Sequence, residues 1–129
     1  MKAVYATGTN YDDPLSVLEV GTMPEPETKP FWSTIRVNSA SVNHHDVWSL
    51  QGVGLSDEQT PMILGTDAAG VLEEDIPVRK GLKAGSEVVL YTFVGTDGAG
   101  VMPGERRSIL SERYAGTMAE YTQVPSANV

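Results

Sequence analysis

Two adjacent histidines, His44 and His45, stand between Asn43 and Asp46 in a chain that has two histidines in all and no cysteine. Proton transfer by imidazole, or metal binding through it, therefore has to start from this tetrapeptide. An imidazole both donates and accepts a proton near neutral pH, so either ring qualifies as a general acid or a relay. A catalytic zinc is usually held by three protein ligands. Neighbours on a helix point about 100° apart, so the two rings do not converge on one ion. A metal would take one of them together with carboxylates such as Asp46 or Asp67. The plainer alternative makes one ring a hydrogen-bonded residue of a helix start and the other a solvated one. On that reading Asn43 and Asp46 are capping residues and Trp48 belongs to the core.

The element that must position these groups is a short helix. Asn43 is a good N-cap, Asp46 three residues on is the acidic partner of a capping box, and Gly52 is a stop, which together predict a helix over His44–Leu50. Elsewhere helical periodicity is scarce. Short β-branched or aromatic runs between Gly, Pro and Asp predict strands at residues 2–6, 16–20, 34–41, 68–73, 87–94 and 119–124. Six strands and one or two short helices make a mainly β domain, a small and partly open barrel. Pro24, Pro26 and Pro30 lack the amide donor of a central strand and read as a surface connection.

Composition bounds the rest. A chain of 129 residues with 40% hydrophobic content builds one compact core. A net charge of -8 repels phosphate backbones and anionic bilayers, which argues against nucleic-acid and membrane partners. No run has the length of a signal core or a membrane span, and the lack of cysteine suits a reducing compartment, so the expected location is cytoplasmic. Residues 95–100, Gly-Thr-Asp-Gly-Ala-Gly, have the wrong glycine order for a dinucleotide fingerprint, and Pro103 and Gly104 stand where its helix would open. They read as a loop within a long excursion over residues 95–116. Arg106, Arg107 and Arg113 with Glu105 and Glu112 read as a solvated face with a short helix, or as an anion-binding lip.

The order of segments resembles the N-terminal, GroES-like catalytic domain of the medium-chain dehydrogenase/reductase superfamily, which holds the zinc-type alcohol dehydrogenases and the quinone oxidoreductases. Four blocks carry the resemblance: Met1-Lys2-Ala3-Val4; residues 37–52 around Asn43-His44-His45-Asp46; residues 61–71, Pro-Met-Ile-Leu-Gly-Thr-Asp-Ala-Ala-Gly-Val; and Gly116-Thr117-Met118-Ala119-Glu120-Tyr121. Residues 83–89 fall where the family has a Gly-Asp-x-Val strand, with Ser86 in place of the acid.

The resemblance implies that residues 1–129 are the catalytic domain and that the Rossmann domain that binds NAD(P)H is not among them. On its terms the isolated chain neither binds nor oxidises NAD(P)H, and the missing nucleotide domain is its partner, with self-association through an uncovered face. The zinc enzymes' first ligand, a cysteine, falls on Asn43, and their second, a histidine, on Thr66. Asp67 matches the acidic partner of that histidine, and Asp46 the acid that supports the site. No cysteine is present to match the structural zinc. The residue that contacts the cofactor pyrophosphate is His44, and the position of the hydroxyl proton relay is His45.

The resulting expectation is a zinc-independent oxidoreductase that reduces a quinone, enone or similar carbonyl with cofactor hydride. His45 would relay the proton with Asp46 and Thr66 in the catalytic set, and His44 would face the cofactor. Asn43, Thr66 and Asp67 would meet the substrate, with Trp48 walling the pocket. Two alternatives are a zinc-dependent domain with atypical ligands and a GroES-like binding or assembly module without catalysis.

Overall fold

The computed structural model describes residues 1–77, 81–95 and 107–129. In these the chain forms β1 (Lys2–Ala6), β2 (Leu18–Thr22), β3 (Trp32–Ala40), α1 (His44–Leu50), β4 (Met62–Ile63), β5 (Ala68–Leu72), β6 (Glu87–Val89), β7 (Phe93–Val94), β8 (Ser108–Ile109) and β9 (Tyr121–Pro125), with 3-10 turns at Pro14–Val17, Asp57–Gln59 and Ser126–Asn128. All strand pairs are antiparallel. They make a three-stranded sheet β2-β1-β4, a four-stranded sheet β6-β5-β3-β9 and the ribbon β7-β8. The architecture is mainly β, a partly open GroES-like barrel with one α-helix.

Several strands differ from the sequence expectation, each for a local reason. Residues 16–20 divide, because Pro14 opens a 3-10 turn and the Asp13 carbonyl accepts from both the backbone N–H and the hydroxyl of Ser16, so β2 starts only at Leu18. Residues 87–94 break after Val89, where Tyr91 turns its N–H to the Asn128 carbonyl and the chain leaves β5 to pair with β8. Strands β4 and β8 have two residues each, too few to show a period. Ser108–Ile109 is extended rather than helical, which corrects the expected short helix in its described part. Glu105, Arg106, Pro103, Gly104 and the loop residues beyond Gly95 lie outside the described residues.

Two apolar clusters support the site. The larger joins Trp32, Ile35, Leu72, Leu110 and Val124 across the four-stranded sheet. The smaller joins Ala6, Leu50, Leu55, Met62 and Leu64, so the end of α1 docks on β1 and β4. Burial alternates along β5, with Ala68, Gly70 and Leu72 inward. Gly70 has to be glycine, because a Cβ there would collide with the Arg36 carbonyl of the paired β3. A register shift falls between Val37 and Ser39, and Ala40 still pairs with Ala68. That pairing places Ser41 and Asn43 beside Thr66 and Asp67.

Candidate functional site

The strand exit at residues 41–43 and the turn before β5 meet in one polar cluster centred on Asp67. Its Oδ2 accepts from the Asn43 amide Nδ2 at 2.6 Å, from the Thr66 hydroxyl at 2.9 Å and from the Ser41 hydroxyl at 3.1 Å. Asn43 Nδ2 also lies 3.1 Å from Thr66 Oγ1 and 3.0 Å from Ser41 Oγ. An amide nitrogen has two hydrogens, so it cannot serve all three oxygens at once. Its orientation is nonetheless fixed, since turning the amide oxygen toward the Asp67 carboxylate would set two acceptors face to face. Thr66 is buried, and Thr117 holds the Asp67 carbonyl at 2.9 Å. The structure brings Asn43, Thr66 and Asp67 together, and Ser41 joins them.

Asp46 lies behind this cluster. It is buried, one carboxylate oxygen accepts the Asn43 N–H at 2.8 Å, and the other accepts the Gly65 N–H at 2.9 Å. The first bond is the acidic half of a capping box, and the second fastens α1 to the β4–β5 turn. Gly65 takes a φ of +92° at that turn, where a side chain would also meet Thr117 and Met118. The Asn43 amide nitrogen is spent on Asp67, so Asn43 is more than a cap.

The two histidines part company. The His45 ring leaves the Asp67 cluster and puts Nε2 3.1 Å from Glu112 Oε1, while Nδ1 lies 3.5 Å from both Ser49 and Ser111 hydroxyls. With Nε2 donating to the carboxylate, neutral His45 keeps Nδ1 as the acceptor. Glu112 is held in turn by Gln59, which donates to its carbonyl at 2.7 Å. His44 is exposed and sits edge-on to Trp48, ring centroids 4.9 Å apart. Trp48 is half exposed, so it forms an outer wall rather than core. Glu112 and Ser41 were missed by sequence reasoning. Glu112 is 67 positions from His45 and reads as one more surface charge, whereas Ser41 lies only two residues before Asn43, a spacing that could have nominated it.

The model of the alcohol dehydrogenase GroES-like domain matches residues 29–129. The chain belongs to the alcohol dehydrogenase GroES-like domain family. It is the N-terminal catalytic domain of the medium-chain dehydrogenase/reductase superfamily. A NAD-dependent alcohol dehydrogenase structure is 36% identical, with a TM-score of 0.79, over 99% of this chain and 38% of that one. The cobalt- and zinc-bound thermostable alcohol dehydrogenase of Pyrobaculum aerophilum is 29% identical, with a TM-score of 0.77, over 99% of this chain and 40% of that one. Dehydrogenase orsE of Emericella nidulans is 31% identical over 109 residues, 78% of this chain and 31% of that protein. The chain therefore spans between 31% and 40% of the length of these relatives.

The donor set at the position of the family's zinc ligands does not fit zinc. Asn43 presents an N–H2 group with no free lone pair, already committed to Asp67 at 2.6 Å, and Thr66 presents a neutral hydroxyl. Asp67 alone among these three is a ligand of the hard, anionic kind. No helix among the described residues is long and apolar enough to cross a membrane.

Proposed function

We propose that this domain belongs to a nicotinamide-dependent oxidoreductase of the alcohol dehydrogenase and reductase type, reducing a quinone, enone or similar carbonyl without zinc. The observation that carries this reading is the closed cluster of Asn43, Thr66 and Asp67 where zinc enzymes of the family place metal ligands. The nucleotide domain of the parent protein would hold NAD(P)H, whose nicotinamide supplies a hydride to the substrate carbon. This chain's residues would do the rest. The Asn43 amide, through the N–H not spent on Asp67, would donate to a substrate oxygen as negative charge builds on it, and Thr66 would join by turning its hydroxyl from Asp67 to that oxygen. His45, its ring fixed between Glu112 and the two serines, would restore the proton, with part-exposed Glu112 linking the ring to solvent. Asp46 would act as a positioning residue for Asn43, and His44 and Trp48 would face the cofactor and the substrate from the outer side of α1.

Carbonyl reduction by the parent protein tests this reading. Activity should survive exhaustive chelation, and elemental analysis should find no stoichiometric zinc. Thr66→Val should lower kcat by about 100-fold, the usual loss for one donor at a developing oxyanion. Loss of activity on chelation with recovery on zinc addition would replace this proposal by the zinc-dependent alternative, which the metal content of the Pyrobaculum aerophilum relative favours.

A further inference from the structure

We propose that a second cavity, away from the Asp67 cluster, binds a small organic carboxylate. It measures about 200 Å³ and lies between the proline connection, the paired β3 and β9, and the segment at Arg113 and Tyr114. None of Asn43, His44, His45, Asp46, Thr66 or Asp67 borders it.

Three observations point to the ligand. Trp32, which lines the cavity, is 7% exposed, and its indole Nε1 is buried without a hydrogen-bond partner. A buried N–H left without an acceptor is costly, so a small turn of the ring that brought it to a ligand oxygen would be favoured. Lys29 and Arg113 border the same cavity, and neither forms an ion pair among the described residues. In a chain with 9 basic and 17 acidic residues, two unpaired cations at one cavity run against the overall charge. Lys29 Nζ sits 4.8 Å from the Trp32 ring centroid, so its charge is already next to the indole.

The walls set the rest of the chemistry. Tyr114 packs against Trp32 with ring centroids 5.2 Å apart, and Pro24 and Pro26 also line the cavity, which suits an apolar body. The arginine fork matches a carboxylate in a bidentate pair. Lys29, Arg113 and the amino group of Met1 outnumber Glu27, the one acid on the lining, so the cavity is net positive and takes an anion. The volume admits a molecule of benzoate size and excludes a nucleotide.

Benzoate is the probe, and the chain's two tryptophans give two indole N–H signals in a nitrogen-15 correlation spectrum, assigned with Trp48→Phe. Benzoate should move the Trp32 signal saturably, with a dissociation constant on the order of 1 mM for so small a ligand. Arg113→Gln and Lys29→Gln, both at exposed positions, should each weaken binding by about tenfold while leaving the remaining amide signals in place. Should either variant fail to fold, the other still decides the point. The neutral analogue benzyl alcohol should leave the Trp32 signal still. A Trp32 signal that ignores benzoate, follows benzyl alcohol equally, or responds unchanged in the folded variants overturns the proposal.

Discussion

The two sides of α1 make different kinds of site from neighbouring residues. On the side of Asn43, three polar groups close on one carboxylate oxygen of Asp67, all within a short reach of β3, α1 and the turn before β5. On the side of His45, one ring bridges to Glu112 on a segment that arrives from the far end of the excursion. The first network is compact and crowded. The second depends on a long connection being in place. Between them Asp46 contributes to both, because its bonds fix the start of the helix from which Asn43 and His45 diverge.

That comparison is broken most severely at the shared residue. Asp46→Ala leaves the N–H groups of Asn43 and Gly65 buried without their acceptor, and the expected loss of stability in urea unfolding is about 2–4 kcal/mol. A loss under about 1 kcal/mol would mean that the two sides do not lean on a common support. The His45 side is sharpened by a double-mutant cycle with His45→Ala and Glu112→Gln. Both side chains are partly exposed, so the coupling should be about 0.5–1 kcal/mol. A coupling near zero would reduce the pair to two independent surface groups. The smallest effect belongs to Ser41→Ala, an exposed hydroxyl with Asn43 and Thr66 still on Asp67, expected within about 0.5 kcal/mol of the parent chain. A larger loss would make Ser41 a structural member of the Asp67 cluster.

Much of the frame was readable beforehand. The helix over His44–Leu50 was fixed by capping chemistry that needs only four consecutive residues, and β1 and β5 by runs long enough to show alternation. Strands β4 and β8 were not readable, because two residues in a ladder carry no period, and β2 was shifted by the local turn that Pro14 and Ser16 build. The Asp67 cluster was half readable. Its members were nominated by resemblance to the family, but the donors were expected to face a substrate carbonyl, and in the structure they turn inward to Asp67.

The amino-acid sequence by itself determined the class of fold, the short helix, the family and the absence of cysteine and histidine from the usual zinc positions, since these rest on residue identity and near-neighbour chemistry. The partners were decided by the tertiary structure alone. A helix sends Asn43 and His45 in different directions, and which carboxylate each one meets depends on strands and turns that pairing brings in from 24 and 67 positions away. Residue types can name a donor and an acceptor, but only the closed sheet brings them within hydrogen-bond distance.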